Sequence, residues 1–297
     1  MLMPEAVKMV LAHTSIAIRN ILYLTDFSHA SDAALPFATA IARDHNAKIY
    51  AVHVLVPDIF LYLTPGSFAG ALDLQQKWAD TEMQHVEAQL SGLPHKALIE
   101  RAEKLWQALE PRIKQYEIDL IVLGVHGLTA IEKLAFGSTS EQVLRSSTIP
   151  MLVAGPAVPM PLGDTCSHRI LFATDLEKDS IPAGTWAIDL ATQNSAHLIL
   201  LHVLEQKHHL SVAEAMHHLW ETVPSVAGLR SRPEVIIEYG EPATRILETA
   251  KEKSADLIVL GIKSTGHLFA AAHLESTAHR VMANAECPVL AVPTIQP

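Results

Sequence analysis

The chain has 297 residues, 49% of them hydrophobic and 18% charged, which is enough material for two cores of ordinary domain size. Its 32 acidic residues outnumber the 22 lysines and arginines, and the net charge of −10 disfavours nucleic acid and anionic membrane surfaces as partners. The two cysteines, Cys166 and Cys287, match neither a disulfide framework nor a zinc site, which fits a reducing cytoplasm.

Residues 1–17 form an N-terminal extension that is partly apolar, but Glu5 and Lys8 interrupt it and no signal-peptide cleavage site follows. Elsewhere, charged or turn residues break every apolar run before it reaches the ~18 residues that a membrane-spanning helix needs. We therefore expect a cytoplasmic protein that does not enter the membrane.

An internal repeat divides the chain. The segment Ile21 to Asp26 matches Ile170 to Asp175, and the match continues without a gap to His53-Val54 and His202-Val203. It resumes where Asp119 to Gly124 matches Asp256 to Gly261. A segment rich in Pro and Gly lies between the copies and suits a linker. The sequence thus predicts domains over residues 18–154 and 168–297, joined by a linker over 155–167.

Each copy alternates short apolar runs with helical patterns. In the first copy the predicted strands are Ile21 to Thr25, Lys48 to Leu55, Ala97 to Glu100, Leu120 to Leu123 and Met151 to Ala154. The predicted helices are Ala33 to Arg43, Gln75 to Leu90, Leu105 to Tyr116 and Ser140 to Arg145. Pro36 suits the first helix only near its first turn or at a kink. The order predicts two tandem, doubly wound, mostly parallel five-stranded sheets of the Rossmann-like α/β class.

Open parallel sheets bind ligands beyond the carboxyl ends of their strands. In the first copy Asp26, Val54 and Gly124 lie at such ends, and Gly124 opens a loop that contains Gly127 and Gly137 and leads to Ser138 and Thr139. Glycines let backbone N–H groups approach phosphate oxygens, and the start of a helix favours anions. The loop suits a phosphate cradle that is not a P-loop, because the Walker A lysine is missing.

Taken singly, these residues also have structural explanations. Gly124 could only end a strand, Gly127 only turn a loop, Ser138 only cap a helix, and Asp26 only cap the helix that follows it. The joint spacing favours function: Gly124, Gly127, Gly137 and Ser138 match G-x2-G-x9-G-[S/T] without a gap. That signature resembles the nucleotide-binding branch of the universal stress protein family.

The resemblance extends over nearly all of both copies, through Ile21 to Ser28, His53-Val54 and the Pro150 ending. It implies that Thr25 and Asp26 lie at the adenine edge, that Asp26 accepts a hydrogen bond from the base, and that Val54 contacts the base through its backbone. It further implies a cofactor, ATP or the related ADP or AMP, with Mg²⁺ bridging phosphate oxygens. The phosphate and ribose contacts would come from Gly124, His126, Gly127, Gly137, Ser138 and Thr139.

The second copy departs from the signature at the phosphate positions. Asp175, Val203 and Gly261 keep their counterparts, but Ser264 replaces the second glycine, unless Gly266 takes its role, and Glu275 replaces the third. A carboxylate repels phosphate by ~1 kcal/mol at 4 Å in water and by several times that in a less polar cleft. We expect a vestigial second site without triphosphate binding, while adenosine or another small molecule stays an alternative.

The resemblance also implies partners. We expect the two copies to pair with each other through their last strands, Met151 to Ala154 and Val289 to Val292, and self-association into a homodimer stays open. The leading function is a nucleotide-dependent stress-response regulator with an unknown protein partner. The alternatives are a slow ATPase or phosphotransferase, for which no catalytic base is visible, and a nucleotide-independent interaction module.

Seventeen histidines occur, and His208, His209, His217 and His218 bunch together in the second copy. Neighbouring histidines on a helix point in different directions and do not converge on one metal ion. We interpret them as an exposed polar surface, and a metal-binding or pH-sensing role is the alternative.

Overall fold

The structure is a computed structural model that describes residues 16–56, 68–125, 138–159, 168–205, 210–222, 228–263 and 276–294. Its strands form one ten-stranded sheet in the order β3-β2-β1-β4-β5-β10-β9-β6-β7-β8. In the first half they are β1 (Asn20–Leu24), β2 (Lys48–Leu55), β3 (His95–Arg101), β4 (Leu120–Gly124) and β5 (Met151–Ala154). In the second half they are β6 (Arg169–Ala173), β7 (His197–Leu204), β8 (Glu234–Tyr239), β9 (Leu257–Lys263) and β10 (Val289–Thr294).

The two halves of the sheet meet at β5 and β10, which run antiparallel. Val289 pairs with Val153, Leu290 with Leu152, and Ala291 with Met151. Every other strand pair described is parallel. The last strands therefore pair as the sequence predicts. Because this pair is antiparallel, the strands of the two halves point in opposite directions, and their carboxyl ends lie on opposite sides of the sheet along the strand direction.

Helices cover both faces of the sheet. They are α1 (His29–His45), α2 (Phe68–Gln89), α3 (Leu105–Gln115), α4 (Ser138–Ser146), α5 (Ile181–Gln193), α6 (Val212–Glu221), α7 (Pro242–Glu252) and α8 (Thr277–Asn284). One core contains residues of α1, α2, α5 and α6, and the other contains residues of α3, α4, α7 and α8. The observed class is the predicted doubly wound α/β fold. Among the helices described, none combines the length and the apolar composition needed to cross a bilayer.

The central strands are apolar throughout because both of their sides are buried. In β4, Leu120 and Val122 enter one core while Ile121 and Leu123 enter the other. All four side chains are at most 2% exposed. A strand of this kind has no alternating polar pattern, so its uninterrupted apolar run is the signal by which the sequence reveals it.

Helix α1 starts before its predicted first residue and runs through Pro36. Ser28 caps it by accepting a hydrogen bond from the Ser31 N–H at 3.3 Å. Pro36 is therefore in the third turn and not near the first, which leaves a kink at Pro36 as the other alternative that the sequence offers. Pro36 has no N–H group, so the helix lacks one backbone hydrogen bond at this residue. The Pro36 carbonyl accepts a hydrogen bond from the Thr39 hydroxyl at 2.8 Å.

A carboxylate at the start of β4 and of β9 ties two strands together in each half. Asp119 Oδ2 accepts from the backbone N–H groups of Arg19 and Asn20 at 2.7 and 2.9 Å. Asp256 Oδ2 does the same for His168 and Arg169, both at 2.9 Å. These bonds satisfy donors at the beginning of β1 and β6 and hold the strands that carry the candidate site side by side.

Candidate functional site

The candidate site lies at the carboxyl end of β1, where the chain diverges to the two faces of the sheet. β1 pairs with β2 on one side and β4 on the other. Helix α1 leaves toward one face, and α4, which follows β4, lies on the other. A crevice forms at such a switch point. Asp26 is exposed there, and Val54 and Gly124 are partly exposed at the ends of β2 and β4.

The turn after β1 is fixed by hydrogen bonds. Thr25 is 2% exposed, its N–H donates to the Val52 carbonyl at 3.0 Å, and its Oγ1 accepts from the Phe27 N–H at 2.9 Å. Asp26 Oδ1 accepts from the Ser28 N–H at 3.0 Å. Phe27 has a φ of 60°, a left-handed conformation that is costly for a bulky residue. The bonds hold this turn, and with it Asp26, in one geometry at the crevice.

An aromatic cluster supports the turn from the α1 side. The His53 ring donates from Nδ1 to the Thr25 carbonyl at 2.9 Å. The Phe27 ring lies 4.3 Å from the His53 ring and 5.3 Å, edge-on, from the Trp78 ring of α2. Burial lowers the pKa of His53, against the opposing effects of its hydrogen bond and of the Asp26 charge. His53 is thus a neutral support of the turn at neutral pH.

Gly124 lies directly against the first turn of α1. A Cβ atom on Gly124 would fall 1.8 Å from the Ala30 carbonyl oxygen and 2.8 Å from the Ser31 backbone nitrogen. Both are backbone atoms, which cannot move aside as a flexible side chain can. The contact gives Gly124 a packing role beside the ribose and phosphate role that the signature implies, and it fixes the end of β4 next to the turn that carries Asp26.

The predicted phosphate loop lies largely outside the described residues. His126, Gly127 and Gly137 fall between residues 125 and 138, and for Ser138 and Thr139 only the backbone is described. Ser138 is the first residue of α4, whose free N–H groups face the end from which the loop arrives. No group of three or more metal-binding side chains occurs within the described ranges.

In the second half the turn after β6 repeats the turn after β1 almost atom for atom. The Thr174 N–H donates to the Leu201 carbonyl at 3.0 Å, and Thr174 Oγ1 accepts from the Leu176 N–H at 3.0 Å. His202 Nδ1 donates to the Thr174 carbonyl at 2.9 Å. Asp175 Oδ1 accepts from the Glu177 N–H at 3.0 Å. Asp175 is exposed, and Val203 and Gly261 are partly exposed, like their counterparts.

The two halves differ in the first turn of the helix that follows. Residues Lys178–Ser180 form a 3₁₀ turn, and Pro182 is the second residue of α5. Ser180 then donates from its hydroxyl to Asp175 Oδ1 at 2.5 Å, whereas its counterpart Ser31 donates to the Ser28 carbonyl at 2.9 Å. A Cβ on Gly261 would meet the Ser180 Cα at 3.4 Å, an ordinary contact. The crevice of the second half is therefore packed less tightly, and its carboxylate is bonded to its own helix.

Sequence reasoning missed the residues that join α3 to α4 in the first half and α7 to α8 in the second. In the first half Gln142 of α4 accepts from the Trp106 N–H of α3 at 3.3 Å. In the second half Glu241 accepts from the N–H groups of Ala243 and Thr244, and Arg280 of α8 lies 2.7 Å from Glu241. Aligning the copies places Glu241 opposite Lys104 and Arg280 opposite Gln142. Both positions change between the copies, and this joint change is the sequence signal that could have indicated a contact between them.

The histidine cluster is described only in part. His208 and His209 lie outside the described residues. His217 and His218 are on α6, with ring centroids 6.2 Å apart, and His217 lies 3.5 Å from Glu221. These contacts belong to the surface of a single helix and add nothing to the candidate site.

Comparisons with known proteins agree with the repeat and the fold. The sequence profile of the universal stress protein family matches residues 17–155 and 167–293. A universal stress protein of Mycolicibacterium smegmatis is 28% identical over 299 residues, covering 92% of this chain and 96% of that protein. Universal stress protein A of Escherichia coli is 30% identical over 145 residues, covering 46% of this chain and 94% of its own length.

Solved structures show the same fold. A universal stress protein from Archaeoglobus fulgidus superposes with a TM-score of 0.74 at 21% identity, covering 93% of this chain and 98% of that one. A putative universal stress protein from Pseudomonas aeruginosa gives a TM-score of 0.60 at 19% identity, with 95% of each chain covered. Because the family profile covers most of the chain in two tandem stretches, the chain belongs to the universal stress protein family.

Proposed function

We propose that the first half, residues 18–154, binds ATP or a related adenine nucleotide and acts as a nucleotide-dependent regulatory module, while the second half, residues 168–297, does not bind triphosphate. The observation that carries the proposal is the placement of Asp26 and Gly124 at the ends of adjacent strands, at the switch point of the first half. Family membership supports it, because the G-x2-G-x9-G-[S/T] spacing is intact in this half.

The chemistry of the site suits a nucleotide. Asp26 offers a carboxylate oxygen to the amino edge of a base, and the backbone at Val54 offers further polar groups. On the far side of Gly124, the N-terminus of α4 provides N–H donors for phosphate oxygens. A Mg²⁺ ion arriving with the nucleotide would be bound mainly through phosphate oxygens and water.

Thermal unfolding with ATP, ADP or AMP and Mg²⁺ tests the binding proposal. A ligand present at a hundred times its Kd stabilises the folded state by about 2.7 kcal/mol, which raises Tm by several degrees. Mass spectrometry of nucleotides released from the purified protein identifies the physiological ligand. If none of the three nucleotides changes Tm, nucleotide binding is excluded.

The variants Asp26→Ala and Asp175→Ala locate the site. Each removes the carboxylate that accepts from the backbone two residues later, and Asp175→Ala also removes the bond from the Ser180 hydroxyl. We expect Asp26→Ala to lose most of the nucleotide-induced rise in Tm and Asp175→Ala to keep it. Gly137→Glu, which copies Glu275 into the first half, should abolish the rise for ATP. Equal losses in both aspartate variants would contradict a single site in the first half.

A further inference from the structure

The aromatic cluster of Phe27, His53 and Trp78 joins the turn after β1 to helix α2. The Phe27 and His53 rings lie 4.3 Å apart and are inclined by 31° to each other. The Trp78 ring stands nearly perpendicular to both, 5.3 Å from the Phe27 ring and 5.9 Å from the His53 ring. Edge-to-face contacts at these distances are favourable. Because each ring contacts the other two, a shift of one ring disturbs the whole cluster.

Asp26 lies between two residues that the cluster holds. On one side, the Thr25 carbonyl accepts from His53 Nδ1 at 2.9 Å. On the other side, Phe27 contributes its ring to the cluster while its backbone keeps the left-handed φ of 60°. A bulky residue avoids this conformation unless its surroundings fix it. The position of Asp26 therefore depends on the cluster through both of its neighbours in the chain.

Trp78 is the member of the cluster that reaches the surface. It is 48% exposed, whereas Ala79, Met83 and Val86 on the inner side of α2 are at most 3% exposed. The inner side of α2 thus packs on the sheet through other side chains. Within the described residues, the ring contacts of Trp78 are made to Phe27 and His53. Trp78 therefore serves the turn after β1 more than it serves the core.

The second half has the same turn without this cluster. Leu176 occupies the position of Phe27 with a φ of 64°, and His202 makes the same backbone bond at 2.9 Å. Leu176 has no ring to stack on His202, and Trp220 of α6 packs on Arg232 instead, 4.1 Å from ring centroid to guanidinium carbon. Hydrogen bonds without the cluster are thus enough to form the turn. The cluster occurs in the half whose G-x2-G-x9-G-[S/T] spacing is intact.

We propose that Trp78 is a positioning residue for the nucleotide site of the first half. Acting through Phe27, it holds Asp26 at the crevice and carries the effect of an occupied crevice to the exposed side of α2. The inference rests on the proposed nucleotide binding and adds regulation to it. Because coupling between two sites is reciprocal, a change at Trp78 alters nucleotide affinity, and a nucleotide at Asp26 alters the environment of Trp78.

Amide hydrogen exchange of the full chain without nucleotide tests the positioning. In Trp78→Leu we expect the turn after β1 to exchange about 2- to 10-fold faster, the factor that corresponds to the loss of one aromatic pair. The turn after β6 should keep its rate, and Trp78→Phe, which retains a ring, should recover much of the protection. An unchanged rate in Trp78→Leu would overturn the proposal.

Met83→Ala is the matched control for this experiment. It removes a buried α2 side chain outside the cluster, so it should lower Tm without a selective effect on the turn after β1. An acceleration of that turn equal to the one in Trp78→Leu would show that any loss of α2 packing has this effect, and the proposal would be wrong.

Equilibrium dialysis with ATP and Mg²⁺ measures the effect on the site. We expect Trp78→Leu and Phe27→Leu, which copies Leu176 into the first half, each to raise Kd about 2- to 10-fold. The double variant should show no further rise, because both substitutions break the same contact. Met83→Ala should keep the Kd of the wild type. Absence of binding by the wild type overturns the proposed function and this inference with it, whereas binding with an unchanged Kd in Trp78→Leu overturns the inference alone.

Tryptophan fluorescence tests the coupling to α2. Replacing Trp106, Trp186 and Trp220 by Phe leaves Trp78 as the single reporter. Saturating ATP should change its emission, and adding Phe27→Leu to this background should remove the change although ATP still binds. Unchanged Trp78 emission at ATP concentrations that saturate the protein in dialysis would overturn the coupling.

Discussion

Gly124 shows how one position can constrain both packing and the candidate site. Because a Cβ there would fall 1.8 Å from the Ala30 carbonyl oxygen, Gly124→Ala must push β4 away from the first turn of α1. We expect Gly124→Ala to lower the free energy of unfolding by about 2 kcal/mol or more. Urea unfolding at neutral pH measures this change.

The second half supplies the matched control. Gly261 occupies the same position, but its added Cβ would make only an ordinary contact at 3.4 Å. We expect Gly261→Ala to change stability by less than about 1 kcal/mol. Equal effects of the two substitutions would show that the tight packing against α1 is not what constrains Gly124.

His53 makes the stability of the first half depend on pH. Burial lowers its pKa below the ordinary value of 6.5, so below pH 6.5 the unfolded chain binds a proton that the folded chain does not. This contribution is fully present above pH 6.5 and is lost as pH falls from there toward the lowered pKa of the folded state. We expect the free energy of unfolding to decrease between pH 7.5 and 5.5, and His53→Gln to flatten that decrease. Urea unfolding across this range tests it, and an identical slope in His53→Gln would remove His53 as the cause.

At the scale of elements, the helices beside the two crevices begin in different ways. Glu241 caps α7 by accepting from the Ala243 and Thr244 N–H groups at 3.1 and 2.9 Å. Its counterpart Lys104 makes no side-chain cap on α3. We expect Glu241→Ala to destabilise the protein by about 1 kcal/mol and Lys104→Ala to have little effect. Thermal unfolding compares the two, and a larger loss in Lys104→Ala would contradict this account of the caps.

The sequence predicts strands better than it predicts the starts of helices. The predicted bounds of β2 and β5 match the structure, and the other strands of the first half differ by one or two residues at an end. A strand buried on both sides is an apolar run whose ends are visible. The first predicted helix instead begins four residues late, because its first turn carries His29 and Asp32, and the cap at Ser28 rather than the periodicity sets its start.

The candidate site was predictable as a set of strand ends but not as a set of contacts. Asp26, Val54 and Gly124 follow from the rule that ligands bind at the carboxyl ends of strands. The Ser180 hydroxyl bond to Asp175 does not follow, because Ser31 and Ser180 are the same residue type at matched positions. Their hydrogen-bond partners differ because the 3₁₀ turn and Pro182 shift the start of α5. The start of a helix depends on several residues together, so comparing the two serines alone does not reveal the difference.

At the scale of the whole molecule, the joint between β5 and β10 makes one sheet from two. Leu152 and Leu290 lie directly opposite each other in the register and are 5% and 2% exposed. We expect Leu152→Ala and Leu290→Ala each to cost about 2 to 5 kcal/mol. Because facing side chains interact across a strand pair, the double variant should lose less than the sum of the two single losses.

Leu198 in β7 provides the control for this comparison of single and double variants. It is 1% exposed in the same core but lies three strands away from β10. Combining Leu152→Ala with Leu198→Ala should give additive losses in denaturant unfolding. Additive losses for Leu152 and Leu290 as well would mean that the joint contributes no coupling between the halves.

Pairing of the last strands also determines which described strands are outermost in the sheet. β5 and β10 cover each other, so the outer strands of the ten-stranded sheet are β3 and β8. Charged residues occur along both, with Lys96, Glu100 and Arg101 in β3 and Glu234 and Glu238 in β8. Charges on edge strands oppose pairing with another chain. Strand addition at these edges is therefore disfavoured as a route to larger assemblies.

The antiparallel joint has a consequence for how the two copies can diverge. Since the strands of one half end where those of the other half begin, the two crevices open on opposite rims of the molecule. No residue named for one crevice is also named for the other, so each can be altered by substitution separately. The copies already differ in sequence at the matched positions Gly137 and Glu275.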